Sequence, residues 1–306
     1  MNVSADISLT PGVSVDIEAL LKLRHVVQHI PERKLAPAGL PGGFVTKRRG
    51  RGLETNDIRP FNFGDDIRHI DHNTTARTGE THVRTFHDER EKTAILVADF
   101  RPSMLWGTRR ALRSVAAAEA LALSGWRVTE GGGRVGLIAI SAAGPLVVTP
   151  KGRERGMVAV IGGLAEAHRQ ALDAAFDRRN APEVPLVEAV EMANRAVPTG
   201  GAVFLATALD NPGDQFEALV ATLRNRARLS LLLIRDAFET DAPAGSYAYM
   251  TAPNQPLWAT FSSKRKTVAD TRQARLERLG VGTIVINAAH PAEQIAEELG
   301  NHGSFA

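Results

Sequence analysis

The chain has 306 residues, with 37 lysines and arginines against 34 aspartates and glutamates, a formal net charge of +3 and no cysteine. That length holds one large domain or one domain with a sizeable appendage, and 43% hydrophobic residues supply a real core. Bulk charge this small does not argue for nucleic-acid binding, and the missing cysteines exclude a disulfide framework, a thiolate metal site and a cysteine nucleophile, which fits a reducing compartment.

Residues 1–13 read as a loose tail. Ser14 is the expected cap of VDIEALLKLRHVVQHI, where Ile17, Leu20, Leu21, Leu23, Val27 and Ile30 follow helical spacing until Pro31 ends it. The chain does not open on a basic start followed by an apolar core, and no run approaches the roughly 18 apolar residues of a membrane span. A cytoplasmic protein is the expectation. From Gly39 to Glu91 the sequence is rich in glycine and proline, with a charge density above the 23% of the whole chain. Such density is compatible with disorder. Interleaved signs and the anchors Phe44, Phe61, Phe63, Ile67, Ile70, Val83 and Phe86 argue instead for an ordered, ion-paired module.

After Lys92 strand and helix signals alternate. TAILVADF (93–100) reads as a buried strand and 109–130 as a helix of good helix formers. RVGLIAIS and PLVVTP are two strands close enough for a hairpin. Helices follow over 153–177 and 185–197, then the strand 201–209, a helix over 214–226 and the strand 228–235. A polar insertion with Tyr247, Tyr249 and Trp258 precedes a helix over 264–279, the strand GTIVIN and a last helix after Pro291. Strands separated by helices of this length imply a doubly wound, mostly parallel α/β sheet, with one antiparallel edge strand from the hairpin. The expected division is an N-terminal helix and charged region over 1–91 and an α/β domain over 92–306 with an insertion around 236–263. Ligands in such sheets bind beyond the carboxyl ends of the strands, which directs attention to Asp99.

GRGLETNDIRPFNFGDDIRHIDHNTTARTG resembles the signature of a bacterial family named domain of unknown function 58. Gly50, Gly52, Glu54, Arg59, Gly64, Asp65, Asp66, Arg68, Ile70, Asp71, Ala76 and Arg77 match, while Thr55, Phe61 and His72 replace Phe, Tyr and Trp. RDAFETDAPAGSYAYM resembles a later segment of the same family. The resemblance implies a von Willebrand factor A-like (Rossmann-like) domain behind the charged signature region. It also implies a non-enzymatic role as partner or adaptor of a MoxR-type AAA+ ATPase or its client.

In von Willebrand A domains a metal-ion-dependent adhesion site needs Asp-x-Ser-x-Ser, then a Thr and an Asp from later loops, because a hard divalent ion takes oxygen ligands. Asp99 and Ser103 stand at that spacing, but Arg101 replaces the first Ser. Val184 or Pro185 stands where the Thr belongs, and Thr207 and Asp210 are out of register. A guanidinium has five donors and no acceptor, so it cannot ligate a cation. The frame is therefore degenerate, with no metal or other cofactor expected and Mg²⁺ disfavoured. Either Arg101 folds onto Asp99 as an ion pair, or it points to solvent and Asp99 caps the next helix. A phosphotransfer role for Asp99 would want a second carboxylate at the position Arg101 holds.

The histidines offer a weaker metal reading. His69, Asp71, His72, His82, His87, Asp88 and Glu89 share no recognisable ligand spacing, and His72 stands where an aromatic ring would pack. KRRGRG (47–52) could reach phosphates, although a solvated basic loop that docks on an acidic partner or pairs with Glu54 and Asp57 is the more ordinary reading. Arg59, Asp65, Asp66, Arg68, Asp71 and Arg77 form either a clamp that holds the signature region to the α/β domain or a polar surface that a partner reads. No catalytic residue is assigned. The alternatives are a metal-dependent hydrolase using His69, Asp71 and Asp99, and a nucleic-acid binder through 47–52.

Overall fold

The computed structural model describes residues 11–29, 55–62, 65–86, 93–177, 184–240, 244–250, 256–261 and 271–301. The basic stretch 47–52, Glu54 and His87, Asp88 and Glu89 lie outside the described residues. The chain divides into two units, Gly42–Glu91 and the combination of Met1–Pro41 with Lys92–Ala306.

Helix α1 (Ile17–His29) belongs to the second of these units, not with the charged segment as expected. Asp16 starts it rather than Ser14: its carboxylate accepts the Glu18 amide at 2.8 Å and its carbonyl accepts the Leu20 amide at 3.1 Å. Leu20, Leu23 and Val27 line one face and join the main core. The tail is also tied from Pro11 on, since the Gly12 carbonyl accepts the Leu112 amide at 2.8 Å.

The small unit pairs β1 (Thr55–Pro60) with β2 (His82–Phe86) in antiparallel register, with a 3-10 turn at Ile67–His69 and helix α2 (His72–Thr78) between them. Asp71 caps α2 by accepting the Thr74 amide at 2.7 Å, and Gly79 ends it in the left-handed conformation at φ 78°.

In the large unit, β3 (Thr93–Phe100) leads through a loop to α3 (Arg113–Glu130), β4 (Arg134–Ser141), β5 (Leu146–Gly152) and α4 (Arg153–Asp177). Then come α5 (Val187–Ala196), β6 (Ala202–Thr207), α6 (Phe216–Arg226), β7 (Arg228–Arg235) and the short α7 (Ala237–Thr240). The hairpin β8 (Gly245–Met250) and β9 (Pro256–Phe261) forms its own two-stranded sheet, and α8 (Thr271–Arg278), β10 (Gly282–Asn287) and α9 (Ala292–Asn301) close the order. The six-stranded sheet runs β10-β7-β6-β3-β4-β5, parallel throughout except for β5 against β4. β5 is antiparallel because only Ala142, Ala143 and Gly144 separate the strand regions before Pro145, too few residues for a crossover. Pro150 and Lys151 then guard this open edge.

Alternation along the central strand separates two cores. Ala94, Leu96, Ala98 and Phe100 of β3 face α1, α3, α4 and α9, whereas Ile95 and Val97 face α5, α6 and α8. Helices therefore cover both faces. Within α3, Gly125 lets the helix approach its neighbours: a Cβ there would lie 2.7 Å from Met157 Sδ and 2.9 Å from Leu96 Cδ1. The helix begins at Arg113 and not near 109, because the Arg113 amide bonds the Trp106 carbonyl at 2.9 Å and the preceding residues are drawn across the strand ends. Among the described residues no helix is long and apolar enough to cross a membrane.

Candidate functional site

The sheet order places a switch point between β3 and β6, since the chain leaves β3 for β4 on one side and returns to β6 on the other. Asp99 is the penultimate residue of β3 and Thr207 the last of β6, so both stand at the crevice where α/β sheets hold ligands. Both are fully buried, as is Arg101. Arg101 fills the crevice.

Its guanidinium grips Asp99 with two parallel bonds, Nε to Oδ1 at 2.9 Å and Nη2 to Oδ2 at 2.8 Å. Nη1 donates to the Val184 carbonyl at 2.8 Å and the Asn211 carbonyl at 3.1 Å, and Nη2 donates to the Asp210 carbonyl at 2.7 Å. All five guanidinium N–H groups are thus committed. The carboxylate is equally occupied. Its Oδ1 also accepts the Arg101 amide at 3.1 Å, and its Oδ2 accepts the Thr207 hydroxyl at 2.7 Å. A buried charge pair is tolerated only when such additional bonds satisfy it. Of the two arrangements open to Arg101, the ion pair is the one the chain adopts.

Thr207 is recruited despite its register. Its hydroxyl donates to Asp99 and accepts the Leu209 amide at 2.9 Å, which starts a tight turn. Leu209 and Asn211 then take positive φ, 62° and 40°, on either side of Asp210. Left-handed backbone costs a leucine on the order of 1 kcal/mol, and here it turns consecutive carbonyls onto Arg101.

A second layer of ion pairs surrounds the crevice. Arg113 reaches Glu239 at 2.5 Å, Asp210 at 3.2 Å and the Ser103 carbonyl at 3.4 Å, and its guanidinium lies 4.5 Å from the centroid of the Trp106 ring. Glu239 is shared with Arg272 at 2.5 Å and accepts the Asp236 amide at 2.8 Å. Buried Asp236 accepts the amide and hydroxyl of Thr108, which pins the 105–112 loop over β7. Trp106 meets Phe238 edge-on at 6.3 Å. Trp106, Arg113, Glu239 and Arg272 were not expected as site residues. The RDAFET stretch held the one legible clue, an acid near the end of a strand.

Other expected residues lie elsewhere. Ser103 sits in the 3-10 turn Pro102–Met104 after Arg101. In the small unit five of the six charged residues form local pairs and caps. Arg59 grips Asp65 with bonds of 2.8 and 2.6 Å, and Arg68 grips Asp66 at 2.9 Å, holding that carboxyl down at about 2. Asp71 caps α2, while Arg77 is exposed on it. His72 is exposed as well, so the packing role expected of it is absent: its position in the first turn of α2 faces it outward. Among the described residues no three His, Asp or Glu gather in a metal-holding group.

A separate cavity of about 820 Å³ lies among α1, α3 and α4, lined by Ile17, Leu20, Val115, His168, Arg110 and Glu119. Its charged pair is closed internally, Arg110 to Glu119 at 2.9 and 2.7 Å. His168 beneath it is hydrogen-bonded through Nε2 to the Ser114 hydroxyl at 2.8 Å and packs edge-on against Phe100 at 5.2 Å.

Fold and site together define a mixed α/β protein whose switch-point crevice is filled by its own arginine. The sequence model of the family described as "Protein of unknown function DUF58" matches residues 57–278, and the chain belongs to that family. The chain is also 37% identical over 106 residues to uncharacterized proteins of Mycobacterium bovis and Mycobacterium tuberculosis, a stretch covering 34% of this chain. It spans about a third, 33%, of the length of these curated relatives.

Proposed function

We propose that the chain is a non-enzymatic protein-interaction module of von Willebrand factor A type, whose strand-end face docks a protein partner without a bridging metal. The observation that carries this reading is the committed guanidinium of Arg101, which stands in the crevice a divalent ion would occupy and, with the Arg101 amide and the Thr207 hydroxyl, closes the Asp99 carboxylate with four donors. The frame Asp99, Ser103 and Thr207 is then a degenerate adhesion site, with charge supplied by the protein. By the resemblance, the partner is a MoxR-type AAA+ ATPase or its client. A hydrolase built on His69, Asp71 and Asp99 has less support, because Asp71 is spent on a helix cap and Asp99 on Arg101 and Thr207.

The test places a photo-cross-linking residue at exposed Asp214, in the loop after β6, and a control at Val158 on α4, which is 49% exposed. In the native cell, one defined protein is expected to be captured from position 214 and not from 158, with the same yield after chelation of divalent ions. No capture at 214, or capture abolished by chelation, would sink the reading.

A further inference from the structure

We infer that the cavity among α1, α3 and α4 binds a neutral, mostly apolar small molecule that carries a carbonyl-type acceptor, and that this oxygen is seated on His168 Nδ1. The site is independent of the docking reading, because none of Asp99, Arg101 or Thr207 lines it. At about 820 Å³ the cavity is in the range of small-molecule pockets, roughly 300–1,000 Å³. Its walls are apolar where they are deepest: Leu20 and Val115 are buried, and Val15 and Leu172 are half-buried. The one buried polar side chain in the lining is His168, 1% exposed.

Only one nitrogen of that ring is used. Nε2 meets the Ser114 hydroxyl at 2.8 Å, whereas Nδ1 has no partner among the described residues. Nδ1 is not sealed in by neighbouring atoms either, so it opens on the cavity that the ring lines. Ser114 is fully buried, and among the described residues its hydroxyl has no other acceptor, so it donates to Nε2. Burial pushes the imidazole down to about 4, so near neutral pH the ring holds a single proton, and Nε2 as acceptor leaves it on Nδ1. The cavity thus contains an aimed N–H donor, which an acceptor oxygen satisfies. Charge selects against ions. Both arginines of the lining are closed by acids of the same wall, Arg110 by Glu119 and Arg169 by Glu166, and Asp16 and Glu18 at the exposed rim repel an anion. A cationic head would meet the Nδ1–H donor. Gly162 is a separate observation. It lies inside α4, where glycine weakens a helix relative to alanine, yet a Cβ built there meets no atom within 4 Å. At the next residue glycine serves packing, since a Cβ on Gly163 would lie 2.8 Å from Val148 Cγ2. Gly162 instead lines the cavity and leaves open the space that a larger side chain would take.

The experiment titrates the isotope-labelled full chain near neutral pH with acetophenone and with three molecules of similar skeleton, ethylbenzene, benzoate and benzylammonium. The amides of Gly162, Ala165 and His168 and the ring nitrogens of His168 are followed by NMR. Before any addition the ring should carry its proton on Nδ1. Acetophenone is expected to shift the three amides and Nδ1 with a dissociation constant on the order of millimolar. Ethylbenzene should bind roughly threefold or more weakly for want of the hydrogen bond, and the two ions should leave the signals in place. A proton found on Nε2, no shift with acetophenone, equal binding of ethylbenzene, or a shift by either ion as large as that of the ketone overturns the proposal, and these readouts need no variant to fold. Gly162→Leu puts a side chain into the open space and a better helix former into α4, so it is expected to match or exceed the urea midpoint of the wild type while losing the acetophenone response. An undiminished response in folded Gly162→Leu would place the ketone elsewhere and overturn the proposal as well.

Discussion

At the scale of single residues the crevice turns on Arg101. Replacing it with serine restores the spacing Asp-x-Ser-x-Ser from Asp99 to Ser103, with the Thr207 hydroxyl already 2.7 Å from the carboxylate. The same change strips a buried acid of its cation, a loss of about 3–5 kcal/mol for pairs of this kind. Arg101→Ser is therefore expected to melt well below the wild type in chelator and to recover with millimolar Mg²⁺ or Mn²⁺. A ligand at 100 times its Kd adds about 2.7 kcal/mol, a shift calorimetry reads easily. Wild type should show no comparable gain, and an equal gain in both would show that the guanidinium does not decide occupancy. Asp99, Arg101 and Ser103 were legible in the sequence as one frame, because side-chain chemistry at fixed spacing survives without a structure. The three carbonyls of Val184, Asp210 and Asn211 were not. Backbone acceptors carry no residue signature, and the positive φ that aims two of them falls on Leu209 and Asn211, where no glycine marks the turn.

At the scale of elements, periodicity carried most of the fold. The strands at 93–100, 134–141, 228–235 and 282–287 stand where their apolar runs placed them, because a strand covered on both faces is apolar throughout. The apolar spacing marks α1 but does not show which unit it packs in. Its face packs on α3 through Leu20, whose carbonyl accepts the buried Trp126 indole N–H at 3.0 Å, and through Arg24, 5.3 Å from the centroid of the same ring and 2.7 Å from Glu130. Such contacts span 106 residues of sequence and leave no local trace, whereas the change of composition near residue 92 is conspicuous. If α1 is part of the core, Leu20→Ala should cost about 2–5 kcal/mol by loss of buried surface and the cavity left behind. Lys22→Ala, at a side chain 75% exposed, should stay within about 0.5 kcal/mol of wild type. Urea midpoints of the two variants check this, and similar midpoints would place α1 outside the cooperative unit.

At the scale of the whole molecule, the core between the sheet and α3 and α4 contains one group that ties global stability to pH. His168 is 1% exposed, packed between Phe100 and the Ser114 hydroxyl, and burial alone pushes its imidazole down from the usual 6.5 to about 4. Charging it would place a cation under the cavity whose nearest wall carries Arg110 and Arg169 together with Glu119 and Glu166. Arg110 is already committed to Glu119 and Arg169 to Glu166, so neither carboxylate is free to receive the new charge. Between pH 6.5 and 4 the unfolded chain therefore binds a proton at this position that the native chain refuses. Stability rises with pH wherever the unfolded state holds more protons, so the contribution of His168 is complete above about 6.5 and is lost progressively as pH falls toward 4, by roughly 3 kcal/mol in all. His168→Gln keeps a partner for Ser114 and removes the titration. The carboxylates of the rest of the chain add the same acid slope to both proteins, so the difference between them isolates the histidine. Unfolding free energies from urea at pH 4.5, 5.5, 6.5 and 7.5 should diverge only below 6.5, with the wild type falling more steeply; parallel curves would mean that the imidazole is hydrated or paired in the native state and that this core is not dry.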